Sequence, residues 1–204
     1  MPRFIEFCIL FVASPIALAQ IPPSAYQYVI LAFSFLTFWC YYKLRKDRSF
    51  DIYRLTKTEG FSKQLRVTLS ILLPSTFAVG LILNGFAPEI LFKLPKEEFA
   101  RWLGISACYC LLAAYPQELI YRAYFFHRYR SLFRSGRSRT LMNAVCFGLA
   151  HLAFGGWFAV FVAGLIGIAL AINYARTHSI LQSAVEHALW AFALLSLGVA
   201  SFFF

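Results

Sequence analysis

Residues 157–174 read WFAVFVAGLIGIALAINY, eighteen residues without one Asp, Glu, Lys or Arg. A helix that crosses a bilayer needs about 20 predominantly apolar residues, with a range of about 17–25. Worked outward from it, the same reading predicts spans over 26–42, 67–83, 99–115, 140–153 and 180–204, with a short first one over 4–19. Residues 49–66 are polar and basic and read as a loop or a surface-lying helix. Gly155-Gly156 reads as a tight turn, or as an extension of the helix before it. The fold class is therefore all-α, a polytopic transmembrane helix bundle of seven or eight spans. The first segment also carries a small-x-small site at Ala17-Leu18-Ala19, as a cleaved signal would. Glu6 and a basic flank of Arg3 alone favour a retained helix.

Composition agrees. Of 204 residues, 60% are hydrophobic and only 14% charged, against roughly half and a quarter in soluble domains. A soluble chain of this size could not hide so much apolar surface in one core, which excludes a cytosolic globular protein, a disordered tail and a disulfide scaffold. The five cysteines lie in apolar runs without a C-x-x-C pair and read as buried free thiols. The net charge of +10 could suggest nucleic acid. Its distribution explains it better. With the N-terminus inside, sixteen basic residues fall on the inner side and only Lys93, Lys96 and Arg101 on the outer, a positive-inside pattern. The stretch from Arg122 to Arg139 interleaves six arginines with aromatic residues, as a helix lying on an anionic leaflet would.

Ionisable residues within spans are costly and each needs a reason. Here they are Glu118, Arg122, His151, Glu186 and His187. Counted at about 1.5 Å per helical residue from the cytoplasmic arginines Arg128, Arg139 and Arg176, Glu118 lies about 15 Å deep, His151 about 18 Å and His187 about 16 Å. Three helices thus bring a carboxylate and two imidazoles to one level, which points to a shared polar site. Two chemistries suit the set. A desolvated glutamate can take a proton from water while imidazoles orient the water or stabilise an oxyanion. Two histidines and a glutamate are also a zinc ligand set. Spacing does not choose between them.

These residues resemble the motifs of the CAAX-protease and bacteriocin-processing (CPBP, or Abi) family of intramembrane endopeptidases. Gln117-Glu118-Leu119-Ile120-Tyr121-Arg122 is similar to its E-E-x-x-x-R motif, Phe147-Gly148-Leu149-Ala150-His151 to F-x-x-x-H, and Ser179-Ile180-Leu181 through His187 to its last histidine helix. The resemblance covers roughly 110–191. It implies N-terminal spans with a basic loop over 1–98 and a catalytic core bundle over 99–204. It implies peptide-bond hydrolysis in the membrane by an activated water, with Glu118 as base or metal ligand and His151 and His187 as water-positioning, oxyanion-stabilising or ligand residues. A divalent metal such as zinc would sit on Glu118, His151 and His187. Arg122 would anchor Glu118, with Gln117, Phe147 and Glu186 in support. The expected partners are the lipid bilayer and a membrane protein or peptide substrate, not nucleic acid. The expected place is a bacterial inner membrane, with the N-terminus in the cytoplasm.

Two positions depart from the family. Gln117 stands where relatives carry the first glutamate, and an amide orients water but accepts no proton from it. Ala191 stands where they often carry Asn or Asp. Glu186 could supply a carboxylate, but it lies about 100° around the helix from His187. The departures keep open a catalytically impaired relative acting as a scaffold, immunity or substrate-binding protein. A small transporter or proton relay is a third reading.

Overall fold

The computed structural model describes residues 2–199 and contains, among them, eight helices longer than a single turn of 3-10 helix and no strand. They are α1 (3–18), α2 (Tyr26–Lys46), α3 (Phe61–Phe86), α4 (Lys93–Glu97), α5 (Phe99–Arg128), α6 (Gly136–Leu149), α7 (Leu152–Thr177) and α8 (Ile180–Leu197). The α3, α5 and α8 helices and residues Gly156–Thr177 of α7 are long and apolar enough to cross a membrane. The fold is an all-α bundle, as expected. The last expected span reaches 204, and its final residues, 200–204, lie outside the described residues.

Several boundaries differ from the sequence reading, each for a physical reason. The α5 helix runs through Pro116 instead of stopping at Tyr115. Pro116 has no N–H to donate, and the helix absorbs the defect by widening into π turns over Tyr109–Ala113 and Leu119–Tyr124. The chain turns back at Ala150 and His151, not at the glycine pair, which lies inside α7. Small residues set that turn. A Cβ on Gly148 would come within 2.7 Å of the Val160 carbonyl, and one on Gly167 would meet the Ala144 backbone. Ala144 and Gly148 on α6 therefore let α7 approach to backbone contact, as small residues do in membrane helix pairs.

The stretch 122–139 is not a surface helix. It ends α5, turns, and starts α6, and its aromatics go inward: Tyr124, Phe125, Phe126 and Tyr129 are all buried. Phe7 and Phe11 of α1 pack edge-on against Phe125 and Tyr129. Glu6 is buried among them. Its carboxylate accepts from Tyr124 Oη at 2.7 Å, from Tyr129 Oη at 3.0 Å and from Arg128 at 2.6 and 2.9 Å. The first helix is thus part of the packed core.

The basic ends of the helices gather at one end of the bundle. Arg3 reaches Ser131, and His127 pairs with Asp47 at 2.7 Å, holding that carboxyl well below its usual range. Segment 47–60 closes this end with a short 3-10 turn at Ile52–Leu55, capped by Asp51. The Leu55 carbonyl accepts from Tyr115, the Lys57 carbonyl from Ser179, and the Glu59 carbonyl from Gln182. Cys40 and Cys146 are buried as expected, but Cys108 faces outward.

Candidate active site

Glu118 lies on α5 just before the second π segment and is fully buried. One carboxylate oxygen faces Arg122 Nε at 3.1 Å, and the other accepts from His187 Nδ1 at 2.9 Å. Arg122 does not snorkel to the surface. It is fully buried beneath the ring of Phe147 at 4.8 Å, and it donates to Asn143, whose amide in turn holds the Tyr121 carbonyl. Asn143 gives the guanidinium a second protein partner, which offsets part of the cost of desolvating this pair.

His187 is set by α8. Ser179 caps that helix through the Gln182 N–H, which fixes where its face begins. An ionised carboxylate only accepts, so Nδ1 of His187 carries the proton and Nε2 is the basic atom. Nε2 lies 2.9 Å from the hydroxyl of Tyr109 on α5, which therefore donates to it. His151 sits at the α6–α7 turn. Its Nδ1 donates at 2.9 Å to the Phe147 carbonyl, one of the last carbonyls of α6 that lack a helical partner. That bond leaves His151 Nε2 as a free acceptor.

His151, His187, Tyr109 and Phe147 line a cavity of about 190 Å³ whose remaining walls are mostly apolar side chains of α5, α7 and α8. The cavity runs from the histidines away from the arginine-rich end, along Ile105 and Ser106 of α5 and Trp190 to Leu195 of α8. Its rim residues Ile105 and Phe192 are exposed on the apolar outside of the bundle.

Of the residues picked out in sequence, Glu118, Arg122, His187, Phe147 and His151 thus fall in one connected set. Glu118 stands behind His187 and does not itself line the cavity. Gln117 lies near the Tyr109 hydroxyl. Glu186 turns away from the cavity and pairs with Asn173 of α7, so it does not replace the polar group missing at Ala191, which lines the cavity as a methyl. Among the described residues, no group of three His, Cys, Asp or Glu side chains is placed to hold a metal ion. Glu118 and His187 spend their facing atoms on each other, so this arrangement of Glu118, His151 and His187 does not fit zinc.

Tyr109 and Asn143 were missed by sequence reading. Asn143 had a signal, as an amide in an apolar span. Tyr109 had none: nine residues from Glu118, it falls about 180° around an ideal helix, and the π turns bring it back.

A buried carboxylate–imidazole pair thus stands at the wall of an apolar cavity within the helix bundle. Residues 99–193 match the Rce1-like family, described as type II CAAX prenyl endopeptidase Rce1-like, so this part of the chain is similar to that family. It is an integral membrane protein. No curated protein and no solved structure matches the chain.

Proposed function

We propose that this protein hydrolyses a peptide bond of a membrane-associated protein or peptide, with His187 as proton acceptor and Glu118 as the group that holds and charges it. The observation that carries the reading is the 2.9 Å bond from His187 Nδ1 to Glu118 at the wall of the cavity. A water beside the two histidines gives a proton to His187 Nε2, and its hydroxide attacks the peptide carbonyl carbon. The imidazolium so formed is stabilised by the Glu118 carboxylate, which Arg122 holds in place. His151 Nε2 accepts the water's second hydrogen and orients it. When the tetrahedral intermediate collapses, the C–N bond breaks and the proton on His187 passes to the departing amine.

The orientation that goes with this has the N-terminus and the 122–139 turn in the cytoplasm of a bacterium, its inner membrane being the site. One basic end of the bundle supports it. Reporter fusions after Ser138 should report a cytoplasmic location, and an external one would reverse the topology.

The test is cleavage of a prenylated C-terminal peptide and its unprenylated counterpart by purified protein in phospholipid vesicles. Wild type should cut at least one, His187→Ala should not, and 1,10-phenanthroline should leave the rate within about two-fold, since no step needs a metal. The second reading, an impaired relative that binds without cutting, draws on Gln117 and Ala191. Absent cleavage that Gln117→Glu restores would establish it.

A further inference from the structure

We infer that Tyr109 is a catalytic residue through which His187 exchanges protons with the cavity; this rests on the hydrolytic reading above. The basic atom of His187 is already hydrogen-bonded. The Tyr109 hydroxyl lies on it at 2.9 Å, with the two rings edge-on at 5.7 Å between centroids, and Tyr109 itself lines the cavity. A water that reaches the base from the cavity meets this hydroxyl first.

The bonds around it all point one way. The Tyr109 hydroxyl donates to His187 Nε2, and His187 Nδ1–H donates to Glu118. Such a chain carries a proton by hopping. The Tyr109 O–H bond breaks as its proton moves to His187 Nε2. In the same step a water O–H bond breaks, and that proton renews the hydroxyl. The hydroxide left behind attacks the carbonyl, so Tyr109 ends the step unchanged. The nearby Gln117 amide is placed to stabilise the negative charge that builds briefly on the phenol oxygen. This gives the altered motif position a role that a neutral amide can fill: it stabilises the shuttle, and it takes no proton itself. Local geometry supports the assignment, since Tyr109 opens a π turn and such turns recur at functional sites.

Tyr109→Phe removes only the hydroxyl, and two measurements on the purified full chain test it. The first is the ¹⁵N spectrum of the histidines in detergent micelles, with His187→Gln assigning the signal. Loss of the hydroxyl should move the His187 Nε2 resonance towards the unbonded position and leave Nδ1 bonded to Glu118. The second is cleavage of the prenylated peptide. It should fall at least ten-fold in Tyr109→Phe and less in Gln117→Ala, and fluorotyrosines of graded acidity at 109 should grade the rate. An unmoved Nε2 resonance overturns the inference, and so does a Tyr109→Phe rate equal to wild type. In that second case an inactive Glu118→Gln shows that the hydrolytic reading still stands. Wild-type protein that cuts neither peptide overturns both.

Discussion

The α5 helix carries two arginine–carboxylate pairs, and they are built for different ends. At its basic end, Arg128 holds Glu6 of α1, and Tyr124 and Tyr129 donate to the same carboxylate. Ten residues earlier, Glu118 is held by Arg122, but its other oxygen takes an imidazole, and that imidazole takes a tyrosine. Every group around Glu6 ends on Glu6. The bonds from Glu118 instead lead outward through His187 and Tyr109 to a cavity. Both sites combine a carboxylate, an arginine and tyrosine, so composition does not separate them. What separates them is an amphoteric group in the chain and space beyond it. The closed site has no atom that can both accept and release a proton at neutral pH, so it can only fasten helices. The open one can do chemistry.

Breaking each pair should therefore give different losses. The largest effect is expected at the open site. Glu118→Gln keeps the volume but removes the charge that stabilises the His187 imidazolium, and cleavage should drop by about two to four orders of magnitude. The helical circular dichroism and the elution profile should be those of wild type. A variant that keeps full rate would remove Glu118 from the mechanism and leave its pair with Arg122 as another fastening. Glu6→Ala should show the reverse pattern. It strands Arg128 and two buried hydroxyls, at a cost on the order of 2 kcal/mol, read as a lower melting temperature in detergent. Its rate per folded molecule should stay near wild type. A rate loss as large as that of Glu118→Gln would erase the distinction.

A third variant sharpens the geometry. Gly148→Ala places a methyl against the Val160 backbone three residues before His151. The α6–α7 hairpin must open slightly, costing about 1–3 kcal/mol. The turn that holds His151 moves with it, so the rate should fall several-fold beyond any loss of folded protein. An unchanged rate would show that His151 tolerates displacement and that His187 alone sets the chemistry.

The smallest effect lies outside both pairs, at the turn between α7 and α8. His178 takes a left-handed backbone conformation, and partial desolvation of this exposed ring, with Arg54 and Lys57 nearby, lowers its pKa from the ordinary value. The folded chain thus prefers the neutral ring, while the unfolded chain protonates more readily. This contribution is fully present above the ordinary histidine pKa and is lost as pH falls through it. Melting between pH 7.5 and pH 5.5 should show an acid decline that His178→Asn reduces by under about 2 °C, asparagine being able to take the same backbone conformation. An acid decline unchanged by the substitution would place its source elsewhere.

Much of the fold was legible along the chain. Apolar runs bounded by arginines mark helices because an unpaired backbone has no place in lipid. The levels of Glu118, His151 and His187 could be counted from those arginines because helical rise is constant. Rotation about each axis was not legible. An ideal helix turns Tyr109 away from Glu118, and only the π turns around Pro116 bring both to His187. The inward course of Tyr124, Phe125 and Tyr129 was hidden as well, because an aromatic–basic stretch suits a membrane surface as readily as a core.

The amino-acid sequence by itself determined the class of molecule, the basic end and the residues able to do acid–base work. Each of these follows from side-chain chemistry and from distance along a regular helix. Tertiary structure alone decided which atoms face one another: Glu118 behind His187, Glu186 turned to Asn173, Tyr109 on His187. The reason is physical. A helix keeps its rise through a defect but loses its angular register, and contact between helices depends on that register and on which residues are small enough to let backbones meet.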